Sequence, residues 1–197
     1  SSTLEALRQP IESGEITVTR VGGSFTYPSR FTLVAAMNPC PCGYAGMSKC
    51  RCDAAAVKKY QSKISGPILD RIDLQVNLQP LTTEERFAKK QKGQTKRLRA
   101  NVEAARKRQQ KRFDGKEIPF NAAIPGGSVA DYCEFTSEAL KHFKRLIDEN
   151  TLSTRSMDRL AKVARTVADL DGSESLDPSH LDKAATFVIG TSLRESF

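Results

Sequence analysis

Residues 16–38 read ITVTRVGGSFTYPSRFTLVAAMN, and two kinds of strand can be read in them. Ile16 and Val18 alternate with Thr17 and Thr19. Beyond Gly22 and Gly23, Phe25 and Tyr27 alternate with Ser24 and Thr26. Two alternating runs joined by a Gly-Gly pair predict a β-hairpin. Residues 31–37, FTLVAAM, do not alternate. A continuous apolar run of strand length predicts a strand buried on both faces, as at the centre of a parallel sheet. Asn38 ends that run. A polar amide at the carboxyl end of a central strand lies where open α/β sheets place their ligands; the same Asn can instead cap the turn before Pro39.

Working outward, residues 4–13 carry Leu4, Leu7 and Ile11 at helical spacing, with Gly14 as a stop. Downstream come a cysteine-rich loop, a helix over 54–64 and a second strand in DLQVNL, residues 73–78. Residues 82–112 are helical in pattern but very polar, with Gly93 as a break. Residues 113–127 read as a linker containing Pro119, Pro125 and Gly126-Gly127. Helices are then expected over 137–149, 154–170 and 179–192, the last opened by Asp177-Pro178-Ser179. No internal repeat is visible. The expected fold is an α/β part with a truncated parallel sheet and a hairpin, followed by an all-α domain. Only two core strands are visible, where a doubly wound sheet usually has about five. The expected division is 1–80, 81–127 and 128–197.

The chain opens on Ser rather than Met, which suggests a segment of a longer protein. No apolar run approaches the roughly 18 residues of a membrane span, and no signal-peptide pattern opens the chain. A cytoplasmic protein without a membrane partner is expected. The net charge of +8 admits a polyanion such as nucleic acid as partner. Basic residues crowd 89–112 without aromatics. They read either as a solvated helix face or as a surface for a DNA backbone, with base stacking disfavoured. His142 and His180 stand apart from any catalytic or metal pattern and are assigned no chemistry.

Cys40, Cys42, Cys50 and Cys52 form C-x-C-x7-C-x-C. Four of the five cysteines within thirteen residues look more like a metal site than a disulfide framework. Four thiolates suit tetrahedral Zn2+ in a structural role. The usual zinc spacing is C-x2-C, so a reduced cysteine cluster or a redox-active disulfide stays open. Lys49 and Arg51 favour thiolates. Cys133 reads as a buried helix-edge residue.

No G-x-x-x-x-G-K-[ST] occurs, and no apolar strand ends in Asp-Glu. Taken alone, the chain is expected to bind and hydrolyse ATP poorly. What is present resembles the magnesium-chelatase-like branch of AAA+ ATPases, most closely its ComM/YifB group. The resemblance rests on LEALRQPIESGEITVTRVGGSFTYPSRFTLVAAMNPCPCG, ISGPILDRIDLQV and LSTRSMDRLAKVARTVADLDG, in that order, and covers nearly the whole chain. It implies a partial AAA+ core followed by a helical lid, with the phosphate-binding elements upstream.

The resemblance implies a role for each of several residues. Asn38 would orient the attacking water and contact ATP. Arg71 would be an arginine finger reaching a neighbouring subunit, unless it is a surface arginine paired with Asp70 or Asp73. Arg155, with Arg159 one turn on as the alternative, would be the second sensor of the nucleotide. Arg20, near the hairpin tip, would touch a nucleic-acid phosphate in a central channel, or else face solvent. ATP and Mg2+ are implied cofactors of the whole protein, and a homo-hexamer is the implied assembly; the segment itself is expected to be monomeric. The implied function is an ATP-driven motor on DNA, in competence and branch-migration-type remodelling. The alternative is the motor subunit of a magnesium chelatase that inserts Mg2+ into a porphyrin.

Overall fold

The computed structural model describes residues 2–89 and 92–189. It divides into two units, one reaching to Ile72 and one beginning at Asp73.

In the first unit, two short helices, α1 (Ser2–Glu5) and α2 (Arg8–Ser13), lead into the hairpin β1 (Glu15–Arg20) and β2 (Gly23–Pro28). Gly14 ends α2 in the left-handed region, with φ 67° and its amide on the Pro10 carbonyl. The strands pair antiparallel, Ile16 opposite Tyr27 and Val18 opposite Phe25. Arg20 faces Gly23, so the two turn residues are Val21 and Gly22, one position earlier than the sequence suggests. Thr17–Thr26 and Thr19–Ser24 hydroxyl contacts, at 3.1 and 2.9 Å, line one face. Ile16, Val18, Phe25 and Tyr27 share the other.

Residues 31–37 correct the expectation of a buried parallel strand. They form no strand, and Val34 is 88% exposed. A central strand needs partners on both edges to satisfy its N–H and C=O groups. Among the described residues the hairpin is the only sheet. Residues 73–78 likewise form no strand; Leu74, Val76 and Leu78 are exposed, and the Gln75 amide donates to the Phe187 carbonyl at 3.0 Å. The truncated parallel sheet is therefore absent from the described residues, and a two-stranded antiparallel sheet followed by helices stands instead.

The rest of the first unit is the cysteine loop, α3 (Ala54–Gln61), capped by the Asp53 carboxylate on the Ala56 amide, and α4 (Gly66–Leu69). Only Pro10, Cys40 and Ile68 are buried among its described residues. So little buried apolar surface stabilises a fold weakly.

The second unit holds α5 (Thr83–Phe87), α6 (Gln94–Arg112), a 3-10 turn at Asn121–Ala123, α7 (Val129–Tyr132), α8 (Ser137–Glu149), α9 (Thr154–Asp171) and α10 (Pro178–Val188). A Thr82–Glu85 capping box opens α5, and left-handed Gly93 separates it from α6. Thr136, Ser153 and Asp177 cap α8, α9 and α10 through their side chains. Leu160, Ala161, Ala164 and Ala168 put one stripe of α9 into the core against Leu181, Ala184 and Val188 of α10. The small alanines let the neighbouring backbones approach closely. The supposed linker contributes to this core as well. Phe113, Ile118 and Ile124 are buried there and join the same cluster as Leu160 and Leu181.

Candidate functional site

The cysteine loop runs as a series of tight turns. The Gly43 amide donates to the Cys40 carbonyl at 3.0 Å, Met47 to Tyr44 at 3.0 Å, and Cys50 to Met47 at 2.9 Å. Gly43 and Gly46 adopt φ of 83° and 80°, where a side chain would strain the turn. Gln61 on α3 donates to the Pro39 carbonyl at 3.1 Å and ties the loop to its following helix.

These turns bring together the four cysteines that the spacing singled out. Their sulfurs lie within 4.8 Å of one another. Cys40–Cys42 are 3.3 Å apart, Cys42–Cys50 3.7 Å and Cys40–Cys50 3.9 Å. A tetrahedral centre with Zn–S bonds of about 2.3 Å has sulfurs about 3.8 Å apart. The donor set and its dimensions therefore fit a four-coordinate, soft-ligand metal ion, and the four cysteines can hold one. All five cysteines are free thiols.

The backbone prepares the sulfurs unequally. The Arg51 amide, followed by the Cys40 thiol and the Tyr44 amide, draws Cys42 down to about 6. At Cys52 the Cys42 amide acts in the same direction. The Cys42 sulfur, burial and the Cys40 sulfur outweigh it and push the thiol up to about 11. Cys50 is raised too: the Cys52 amide lowers it, but burial and the neighbouring sulfurs prevail. Four acids in one small volume cannot all ionise unless a cation joins them.

Asn38 is exposed and lies two residues before Cys40. Arg20 is exposed at the end of β1, on the face that carries Phe25 and Tyr27. The partner of Arg71 is neither Asp70 nor Asp73. Its guanidinium pairs with Glu12 on α2, through Nε at 3.1 Å and through Nη2, and donates from Nη1 to the Pro67 carbonyl at 2.6 Å. The Arg71 side chain is only 10% exposed.

In the second unit, Arg155 is exposed on the first turn of α9. Arg159 is buried, with Nη2 3.5 Å from the Val188 carbonyl. Of the two candidate sensors, Arg155 is the one that reaches solvent. Cys133 is fully buried at the end of α7, as expected, and burial pushes its thiol up to about 12.

The sequence reading missed two polar clusters. Asp169 is completely buried and accepts from Arg112 at 2.9 and 2.5 Å, from Arg165 at 3.1 Å and from the Asn121 side-chain amide at 2.8 Å. Arg165 also donates to the carbonyls of Glu174 and Ser173 at 2.7 and 2.6 Å. The i, i+4 spacing of Arg165 and Asp169 was the available signal; Arg112, far away in sequence, gave none. Nor are the two histidines isolated. His142 Nε2 lies 2.6 Å from Asp182, and Arg145 donates to its Nδ1 at 2.8 Å, which assigns the Nε2–H tautomer. The ring nitrogen of His180 accepts from the Asp177 amide and completes the cap of α10.

Comparison with known proteins adds to this geometry. The family model described as "Magnesium chelatase, subunit ChlI" matches residues 1–86, and that described as "Magnesium chelatase, subunit ChlI C-terminal" matches 92–187. The chain belongs to the magnesium-chelatase-like family. Among curated members, the YifB protein of Escherichia coli K12 is 38% identical over 94% of this chain and 36% of its own length. YifB of Salmonella typhimurium is 35% identical, again over 94% of this chain and 36% of its own length. The competence protein ComM of Haemophilus influenzae is 34% identical over 92% of this chain and 35% of its own length. The chain thus spans about a third of the family members it matches. No helix among the described residues is long and apolar enough to cross a membrane.

Proposed function

We propose that this chain is the sensor, arginine-finger and lid portion of an ATP-hydrolysing AAA+ motor that acts on DNA. The observation that carries the reading is the ordered match to both magnesium-chelatase modules, together with the likeness to a competence protein over 92% of the chain. The solvent-facing Arg20, beside Phe25 and Tyr27 on one hairpin face, supports a nucleic-acid contact, since guanidinium and aromatic rings suit a strand's phosphates and bases. The family description keeps a porphyrin-metallating chelatase motor as the second reading.

In this reading ATP supplies the phosphoryl group when bound to the whole protein. The residues of this chain act on geometry and charge. Asn38 orients a water by hydrogen bonding, without taking its proton. Arg155 ties the lid to the nucleotide. Arg71 serves a neighbouring subunit of a homo-hexamer, for which it must exchange Glu12 for phosphate oxygens. The chain has no phosphate-binding loop of its own, so it supplies only part of a nucleotide site. The cysteine cluster holds structural Zn2+ and takes no part in turnover.

The test uses the full-length protein. Arg71→Ala lowers DNA-stimulated ATP turnover by about 10³–10⁵. Mixing it with subunits disabled in the phosphate-binding loop restores part of the activity, because an arginine given in trans completes the mixed site. Turnover within about twofold of the parent, or no DNA stimulation at all, would sink the proposal.

A further inference from the structure

We infer that the outward face of α6 binds the phosphodiester backbone of duplex DNA. The inference rests on the DNA reading above and deepens it by placing a contact surface in the second unit.

The positive charge of the second unit is concentrated on this helix. Residues 94–112 hold eight Lys and Arg against Glu103 alone, while residues 113–197 hold ten against fourteen Asp and Glu. The helix therefore carries a net +7, against +5 over the whole of residues 1–93 and −4 over residues 113–197. A solvated helix face ordinarily mixes both signs.

The helix divides its basic residues by direction. Ala105 and Gln109 are buried toward α9. On that side Arg108 donates to the Asp169 carbonyl at 3.1 Å, and Arg112 is held by the Asp169 carboxylate. A turn of about 100° per residue puts Lys96, Lys107 and Lys111 on the opposite side, flanked by Arg99 and Arg106 and, on the other edge, Arg97. All six are exposed, and none makes an ion pair among the described residues. Glu103 lies on this same face at helical spacing from Arg99 and Lys107, makes no ion pair among the described residues, and leaves the six cations a net +5. Lys96 to Lys111 covers about 22 Å of helix axis at about 1.5 Å per residue. Duplex DNA presents a phosphate about every 1.7 Å along its axis.

The chemistry of the face selects the partner. It carries no aromatic residue, so it offers nothing for unpaired bases to stack on, and its contacts are to the backbone, independent of base sequence. An anionic membrane would need an apolar face beside the cations. The exposed large apolar residues of α6 are Leu98 and Val102, which lie on the side of Ala105 and Gln109, border Arg99 and Arg106 alone of the six, and are too few to form such a face.

The proposal is tested on the 197-residue chain with a fluorescent duplex of mixed sequence. Three to four phosphate contacts predict that affinity falls about 40- to 150-fold between about 50 and about 200 mM salt. The variant Lys96→Gln, Arg99→Gln, Arg106→Gln, Lys107→Gln keeps its helical circular dichroism and loses more than about tenfold in affinity at low salt. Its salt slope falls by about three. Equal binding and equal slope in parent and variant overturn the proposal. If Arg20→Ala then abolishes the shared binding, the DNA reading survives without α6. If parent and variant both ignore the duplex, the proposal for α6 fails, and the DNA reading is decided by the full-length protein alone. Capture of the parent by anionic phosphatidylserine vesicles in preference to duplex would also overturn it.

Discussion

Zinc titrated into the metal-free chain near neutral pH should release between two and three protons per ion. The number follows from the unequal thiols. Cys42, at about 6, is already a thiolate in about nine molecules of ten at pH 7, and contributes about a tenth of a proton. Cys52, at about 11, contributes a whole one. Cys50, raised above its ordinary value, contributes another. Cys40, lowered from its ordinary value, contributes between none and one. Protons compete with the metal for the same sulfurs, so affinity rises with pH. One pH unit around neutrality raises it about 10²- to 10³-fold. The slope persists above pH 7, because Cys52 keeps its proton until about pH 11, whereas Cys42 is spent below it. The assay is competition with a chromophoric zinc chelator at several pH values, with a pH indicator counting protons in weak buffer. Cys52→Ser lowers the proton count by about one, while Cys42→Ser weakens binding with little change in the count. Release of less than about one proton per zinc, or an affinity independent of pH, would refute the thiolate site and the amide-driven asymmetry behind it.

Two further outcomes concern the second unit. Asp169→Ala leaves buried Arg165 and half-buried Arg112 without their carboxylate, and should destabilise residues 73–189 by about 3–5 kcal/mol in guanidinium unfolding followed by circular dichroism; a change under about 1 kcal/mol would mean that water or the Ser173 and Glu174 carbonyls replace it. Gly172→Ala forces a side chain into φ 81°, with its Cβ 3.1 Å from Arg108 Nη2. It should cost about 1–2 kcal/mol by the same assay, whereas Gly115→Ala, at a similar φ with open space around it, tests the backbone strain alone.

The parts of the fold that sequence made legible are those decided over a few residues. The hairpin follows from alternation around Gly22, and α8, α9 and α10 follow from periodicity and the caps at Thr136, Ser153 and Asp177. The cysteine cluster is legible for the same reason, since thirteen residues and two glycine turns suffice to close it. What failed was decided at long range. An apolar run such as residues 31–37 states a preference for burial, but neighbours must supply the burial. Here Phe31, Leu33 and Val34 stay exposed. The Arg71–Glu12 pair joins positions 59 apart, and the Arg112–Asp169 pair positions 57 apart. In a single sequence nothing marks either carboxylate as the partner. Neighbouring charge even misleads, since Asp70 and Asp73 flank Arg71.

The two units are stabilised by different chemistry, and this bears on what substitutions can reveal. The unit ending at Ile72 buries only Pro10, Cys40 and Ile68 among its described residues. It lacks the apolar area from which small domains ordinarily draw stability, and that is the situation in which a metal staple matters most. Loss of a cysteine there should lower metal affinity and folding together, so reduced activity after Cys40→Ser would not by itself place the cysteine in catalysis. The second unit has a true core, and α6 belongs to it only through its inward side, Ala105, Gln109, Arg108 and Arg112. Its outward lysines and arginines make no side-chain hydrogen bond or ion pair among the described residues. Neutralising them should therefore change binding without changing stability, whereas Asp169→Ala should change stability first. That separation of effects, on two sides of one helix, tells a nucleic-acid surface from a merely solvated one.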